Sequence, residues 1–528
     1  MTIYLDYAAT TPVDPRVAAA MRDALTDPAA QANAASATHG LGLGVHDRIE
    51  TARASVAALI GAQPFEIVFT SGATEANNLA LLGVARAARR AAGRGHIVSA
   101  RTEHRSVLDA CAQAARDGFS VTLVDPDTSG RVTPAAIRAA LRADTLLVSL
   151  MLANNEIGVT NDLAAVAALC EPRGVLLHSD ASQAVGKLPV DVRELGIDFL
   201  AFTAHKFYGP KGIGALFVRE ASRPKIAPIQ FGGGHERGLR SGTLPTHQIV
   251  GFGTAAELAR AQGAGDAAHA RDLALRLWHQ LEPLPGVIFN GDPTHRVPGL
   301  INLSFEGVEG ESLVTGLAEI AVSTGSACSS ATREPSYVLR ALGRSTELAQ
   351  SSLRLSLGRF TAASDVDVAA SAIRREVERL RLIAGETPSS PDERGPAAGG
   401  SPEGTLLARA LSPMARRYFL APARVPRFGQ VTPPPGVRHG RAGRRSEGTE
   451  VFFELEISGE FVKSARFSAY GCPHTLAVVA WVCEVLEGAR SDAGVPETPA
   501  DWARKFEVPA EKLGRLLIVE DALRAALS

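Results

Sequence analysis

The first residue of this chain whose position points to chemistry is Lys206. In Phe199-Leu-Ala-Phe-Thr-Ala-His-Lys-Phe-Tyr-Gly-Pro-Lys-Gly-Ile-Gly-Ala-Leu-Phe-Val218, two apolar β-prone runs flank a polar turn, and Lys206 stands where the first run ends. Burial lowers the pKa of a lysine, and a neutral amine forms a Schiff base with an aldehyde cofactor. The plain alternative is a solvated loop lysine, so the residues around it decide its reading.

Polar residues gather at the ends of the neighbouring apolar runs. After Ile67–Thr70 comes Ser71-Gly-Ala-Thr-Glu75, a small-residue turn opening a helix, where backbone N–H groups and hydroxyls suit a phosphate, although a simple helix cap reads the same way. After His96–Ala100 comes Thr102-Glu-His104, and a lone histidine is more often structural than catalytic. Asn154-Asn-Glu-Ile-Gly158 follows the run 145–152. Ser179-Asp-Ala-Ser-Gln-Ala-Val-Gly186 follows the run 175–178 and sets Asp180 where a carboxylate would pair with a buried cation. Each has a cap or turn explanation, but five successive strands ending this way fit one site, because open α/β sheets bind ligands beyond the carboxyl ends of their strands.

Elements that would position such residues follow from the periodicity. Strand candidates at 67–70, 96–100, 120–124, 145–152, 175–178, 199–203 and 214–218 alternate with helical runs at 75–90, 106–116, 134–142 and 163–171, which predicts an α/β fold with a helix-covered, mostly parallel sheet. Residues 244–280 read as helix and 287–381 alternate again as a smaller α/β unit. The stretch 385–404, rich in Pro, Gly and Ser, reads as a linker, and 405–528 as a further unit with strands at 451–457 and 461–469 followed by helices. A length of 528 residues suits two or three such units. With 55 basic and 56 acidic side chains, no global field draws the chain to nucleic acid or membrane. Five cysteines, Cys111, Cys170, Cys328, Cys472 and Cys483, none in a CxxC pair, suit a reducing cytoplasm. The amino terminus lacks the pattern of a signal peptide and no apolar run approaches a bilayer span, so a soluble protein is expected.

Taken together, Thr203-Ala-His-Lys206, Ser179-Asp-Ala-Ser-Gln183, Thr102-Glu-His104, Asn154-Asn-Glu-Ile-Gly158, Gly232-Gly-Gly-His-Glu-Arg-Gly-Leu-Arg-Ser-Gly-Thr243 and Ser323-Thr-Gly-Ser-Ala-Cys-Ser-Ser330 resemble the NifS/IscS type of cysteine desulfurase, pyridoxal-phosphate enzymes of the class V aminotransferase group. The resemblance runs over residues 1–385. It implies fold type I of these transferases: a large domain with a mostly parallel seven-stranded sheet at about 15–260, and a small α/β domain from 1–14 and about 261–385. It further implies that Lys206 carries the cofactor and moves protons at the substrate Cα, that Asp180 pairs with the pyridinium nitrogen, and that His104 stacks on the ring and acts with Lys206 and Cys328 as a catalytic residue, in proton transfer. Gln183 would bond the phenolic oxygen and Asn155 position cofactor and substrate. Ala73, Thr74, Thr203 and His205 match phosphate binders, and Thr243 matches a residue reaching the phosphate of a second subunit, hence a homodimer. Arg354 matches the clamp on the substrate carboxylate, a role that suits a guanidinium. Cys328 matches the thiol that attacks the substrate sulfur and takes it as a persulfide, in a stretch of small polar residues that predicts a mobile loop. The implied substrate is L-cysteine, and the implied partner a sulfur-acceptor protein such as an iron–sulfur scaffold. Selenocysteine lyase, and a fusion acting mainly as an interaction or regulatory scaffold, are the alternatives.

The stretches 461–474 and 508–523 look like the IscU/NifU-N type of scaffold. That family holds its metal or cluster with three cysteines, an aspartate and a histidine, whereas here only Cys472 matches, with Glu447-Gly-Thr-Glu450 and Gly514-Arg515 at the other ligand positions. One thiolate cannot supply the ligands of a zinc or cluster site, so no metal is expected and Cys472 is left as a sulfur acceptor or a remnant. A docking or structural role is favoured over sulfur relay. Residues 405–446, with nine arginines and no acid, read as a flexible connector and not as a nucleic-acid tract.

Overall fold

The computed structural model describes residues 2–90, 95–324, 335–386, 410–423, 425 and 436–528. Its largest element is a seven-stranded sheet. The strands are β2 (Ile67–Thr70), β3 (His96–Ala100), β4 (Ser120–Val124), β5 (Thr145–Ser149), β6 (Leu176–Asp180), β7 (Phe199–Thr203) and β8 (Gly214–Val218), after a short β1 (Ile3–Tyr4) that lies elsewhere. Their order is β2-β8-β7-β6-β5-β3-β4, and every pairing is parallel except the two made by β8. The reason these runs read as uninterrupted apolar stretches lies in their two covered faces. In β7, Leu200 and Phe202 enter one core while Phe199 and Ala201 enter the core on the opposite face. The helices α1 (Pro15–Thr26) and α2 (Gly40–Leu59) lie towards the first core, and α3 (Ala73–Arg90) and α4 (Arg105–Arg116) cover the second. The expected strand at 145–152 stops at Ser149, and Asp180 is the last residue of β6, not a residue beyond it.

A 36-residue helix, Thr246–Leu281, leaves this unit carrying Ile249, Phe252 and Ala256 in the first core and delivers Leu273, Leu277 and Leu281 to a separate core. That core is built on β9 (Val287–Phe289), β10 (Leu300–Phe305) and β12 (Ser352–Ser356), an antiparallel sheet of order β12-β10-β9, with β11 (Ile320–Ala321) paired in parallel to β1. The amino-terminal segment thus belongs to the second unit through β1 and an Asp6–Ser356 bridge, and then runs on to the end of β7.

Beyond residue 386 the chain forms an antiparallel sheet of β13 (Val437–Arg444), β14 (Thr449–Ser458) and β15 (Phe461–Tyr470), then the helices Pro473–Leu486, Pro499–Phe506 and Leu513–Leu527. The arginine-rich connector expected over 405–446 is overturned in part. Residues 413–420 are helix, and Arg438, Arg441 and Arg444 belong to an edge strand, where Arg441 meets Glu450 of β14 at 2.5 Å. Charged side chains are tolerated there because an edge strand keeps contact with water. This unit shares one apolar core with the β9–β12 sheet. Across the seam Ser312 Oγ donates to Gly471 O at 2.8 Å, Arg379 Nη1 to Phe419 O at 2.8 Å, and Lys512 pairs with Glu311. Among the described residues no helix is long and apolar enough to cross a membrane.

Candidate active site

Lys206 closes the 3-10 turn Ala204–Lys206 that ends β7. The side chain is half-buried, less enclosed than expected, and its Nζ donates to the carbonyls of Ala8 at 2.6 Å and Ala9 at 2.9 Å. Just past it, Tyr208 adopts φ of 67°, a conformation that costs a non-glycine residue about 1 kcal/mol or more. Its N–H is held by Thr11 Oγ1 at 2.6 Å and its hydroxyl accepts from Arg359 N at 2.7 Å. The amino-terminal segment therefore fixes both the lysine and the turn behind it.

Asp180 points from the end of β6 and is 5% exposed. Its Oδ2 accepts from Asn77 Nδ2 at 2.7 Å and its Oδ1 from Ser182 N at 2.9 Å. Gln183 donates to Ala8 O at 2.8 Å, the carbonyl that also receives Lys206. His104 caps α4, with Nδ1 accepting from Ser106 N at 3.2 Å. Arg354, in the middle of β12 and 3% exposed, donates to Asn155 O at 2.9 Å and pairs with Asp6 at 2.8 Å. The structure thus brings Lys206, Asp180, Gln183, Asn155 and Arg354 together from two sheets and the amino terminus. Asn77, Asp6 and the carbonyls of Ala8 and Ala9 are members that sequence reasoning missed. A buried carboxylate at a strand end had signalled a partner, but nothing in the sequence named Asn77.

Ala73 and Thr74 open α3, whose free N–H groups and positive dipole end face the turn Ser71–Gly72. Thr203 Oγ1 donates to Ile213 O at 2.9 Å, and His205 Nδ1 lies 3.2 Å from Thr10 Oγ1. Burial, then the charges of Lys206, Lys211 and Lys187, pull the His205 imidazole down to about 4, so the ring is neutral at neutral pH. Thr243 is exposed and, with Ser71, Thr70, Arg240 and Gln248, lines a cavity of about 160 Å³.

Cys328 lies outside the described residues, but both flanks of its segment are fixed beside the site. Arg354 N donates to Ser323 O at 2.7 Å on one side. On the other, Ser336 Oγ donates to the buried Glu156 carboxylate and Tyr337 hydroxyl to Glu103 O at 2.7 Å. Cys111, Cys170 and Cys483 are buried in cores. Cys472 is also fully buried, 3.4 Å from Thr475 Oγ1 at the start of the helix Pro473–Leu486, and no cluster of metal ligands forms among the described residues.

The donor set fits pyridoxal phosphate. Asp180 is a buried carboxylate with no ion-pair partner among the described residues, which suits a pyridinium N–H. Asn155 Oδ1 is buried without a hydrogen-bond partner among them, and a helix N-terminus stands ready for a phosphate.

Comparison with known proteins agrees. The aminotransferase class-V family model matches residues 3–368. The chain belongs to that family, pyridoxal-phosphate enzymes with the fold type I seen here. Within it, the similar relatives are cysteine desulfurases. The chain is 53% identical over 382 residues to cysteine desulfurase IscS of Aeromonas salmonicida, spanning 72% of this chain and 94% of the relative. The IscS of Escherichia coli O139:H28 is 50% identical over 381 residues with the same coverage. Among solved structures, a NifS-like protein superposes with TM-score 0.66 at 33% identity, covering 72% of this chain and all of that one. SspA in complex with cysteine gives TM-score 0.60 at 34% identity over 68% of this chain and 100% of its own.

Proposed function

We propose that the protein is a pyridoxal-phosphate-dependent L-cysteine desulfurase that releases L-alanine and leaves the sulfur on Cys328 for a protein acceptor. The observation that carries this reading is that Lys206 and Gln183 share the Ala8 carbonyl two residues from Asp6, which pairs with Arg354, with both flanks of the Cys328 segment fixed at Arg354 and Glu156. Pyridoxal phosphate, when bound, supplies an aldehyde for amines and a ring that withdraws electrons from the substrate Cα. Asp180, oriented by Asn77, would keep the ring nitrogen protonated and Gln183 would hold the phenolic oxygen. The α3 amino terminus with Ala73 and Thr74, together with Thr203 and His205, would hold the phosphate, joined by Thr243 of a second subunit. Arg354 would take the substrate carboxylate, with Asp6 and the Asn155 carbonyl fixing its guanidinium. Lys206 would move the proton at Cα, and His104 would stand against the ring.

The Cys328 thiolate then attacks the substrate Sγ. An S–S bond forms, the Cβ–S bond breaks, its electron pair returns to carbon, which takes a proton, and alanine leaves. Cys328 is four residues beyond Thr324, at most about 14 Å of chain, and Ser323 is bonded to Arg354, which supports its reaching the substrate held there. A homodimer in the cytoplasm, with residues 1–385 as the catalytic part and 405–528 as a scaffold-like appendage serving docking or structure, completes the reading. The burial of Cys472 favours that role over sulfur relay.

The test is spectroscopic. The purified protein supplied with pyridoxal phosphate should be yellow and turn L-cysteine into L-alanine, and Lys206→Ala should lose both properties. A Lys206→Ala protein with the wild-type band and turnover would refute the assignment.

A further inference from the structure

Lys187 is a partly buried lysine that the reaction above does not use. It follows the turn beyond β6, and its Nζ donates to Gln183 Oε1 at 2.7 Å. No acidic group is among the charges that act on it. On its other side the same amide donates through Nε2 to Ala8 O at 2.8 Å, and Lys206 Nζ donates to that carbonyl at 2.6 Å. The four groups form a chain from Lys187 through Gln183 and Ala8 to Lys206.

An amide has two ends of similar shape and opposite polarity, so its neighbours decide which way it faces. Here a donor stands at one end and an acceptor at the other. Turning the amide over would set its NH₂ against the amine and its oxygen against the Ala8 carbonyl, breaking two bonds and creating two repulsions. We infer that Lys187 is a positioning residue that locks the Gln183 amide so that an N–H, and not an oxygen, faces the Lys206 side of the site. This rests on the function proposed above, in which an anionic oxygen of the cofactor needs a donor from Gln183.

Desolvation, then the charges of Lys206 and Arg354, pull Lys187 down to about 7. The lock is complete only while Lys187 is an ammonium, which has no lone pair; the neutral amine still donates to Oε1 but also accepts from a turned NH₂, so above that pH the Ala8 carbonyl alone rejects the turned amide. The Lys187 charge in turn helps Lys206 and Lys211 keep His205 neutral.

The experiment uses Lys187→Met, which keeps the stem and removes the donor, Lys187→Arg, which keeps a donor, Gln183→Ala, and the Lys187→Met/Gln183→Ala double variant. Two readouts independent of turnover are taken: the pH midpoint of the visible spectrum of the holoprotein, and the affinity of the apoprotein for pyridoxal phosphate. Without a donor from Gln183 the cofactor oxygen anion holds the proton on the Lys206 nitrogen more tightly. Lys187→Met should therefore raise the midpoint by about one pH unit and weaken binding about tenfold. Lys187→Arg should stay near the wild type, and Lys187→Met should add nothing once Gln183 is alanine. A wild-type midpoint and affinity in Lys187→Met, or full additivity with Gln183→Ala, would overturn the assignment. If Lys187→Met does not fold, Lys187→Gln, whose amide permits the turned orientation, is read against the same outcomes. Wild-type protein that binds no pyridoxal phosphate would overturn the proposed function and this assignment together, whereas normal bands with unchanged midpoints overturn this assignment alone.

Discussion

His178 and Asp180 lie two residues apart on β6 and so point the same way, one towards Ser149 and the other towards Asn77. His178 is wholly buried, and desolvation outweighs the attraction of Asp180, pulling the imidazole down to about 4. The folded ring stays neutral to about pH 4, while in the unfolded chain it takes a proton below about pH 6.5. Between those values the unfolded state binds more protons, so stability falls as pH falls. From pH 7 to pH 5 this ring should remove about 2 kcal/mol, and denaturant unfolding at the two pH values should show a smaller difference for His178→Gln than for the wild type. An equal difference would mean that other groups cause the decline. At this scale the sequence was most informative where motifs sit at strand ends. Lys206 and Asp180 could be read because several apolar runs in succession end in polar residues, whereas the roles of Gln183 and of Arg354, which lies inside β12, came only from the resemblance. The carbonyls of Ala8 and Ala9 could not, because backbone atoms carry no sequence signature and their contact with Lys206 spans most of the large sheet.

Among the elements, the turn before α3 and the start of β8 are packed backbone against backbone. A Cβ on Gly214 would lie 2.7 Å from Gly72 Cα, so glycine is required for β8 to reach β2 and β7 while leaving the α3 amino terminus in place. Gly214→Ala should cost about 1–3 kcal/mol of stability and weaken pyridoxal phosphate binding, since the strain falls on the proposed phosphate turn. Thermal unfolding and cofactor titration measure the two effects, and an unchanged affinity would place the phosphate elsewhere. The alternation of strands and helices made the large sheet legible, because strands such as β2, β7 and β8 are apolar on both faces. The edge strand Val437–Arg444 was misread, since its three arginines hide the alternation that half-buried strands show, and its partner Thr449–Ser458 lies later in the chain.

At the scale of the whole molecule, one long helix joins the first two units and a shared core joins the second to the third. The long helix Thr246–Leu281 ties the large sheet to the β9–β12 sheet, and the carboxy-terminal unit joins the latter in one apolar cluster. Cys472 lies inside that arrangement, so a reagent of ordinary size should label it in the native protein far more slowly than in denaturant, by a factor of a hundred or more for a site that opens only through rare excursions. Cys472→Ser should leave sulfide release from L-cysteine unchanged. Rapid native labelling together with lost sulfur transfer would instead make it a relay. The sequence did not show the seam, because Ser312, Glu311 and Lys512 are ordinary polar residues until the fold sets them opposite one another.

The central claim is that Lys206 prepares the substrate and Cys328 takes its sulfur. The most direct measurement is mass spectrometry of the peptide containing Cys328 after the holoprotein has been mixed with L-cysteine. The account predicts one additional sulfur on Cys328 in the wild type and none in Lys206→Ala. Alanine and sulfide formed at the wild-type rate by Cys328→Ser, with no sulfur ever carried on Cys328, would contradict it.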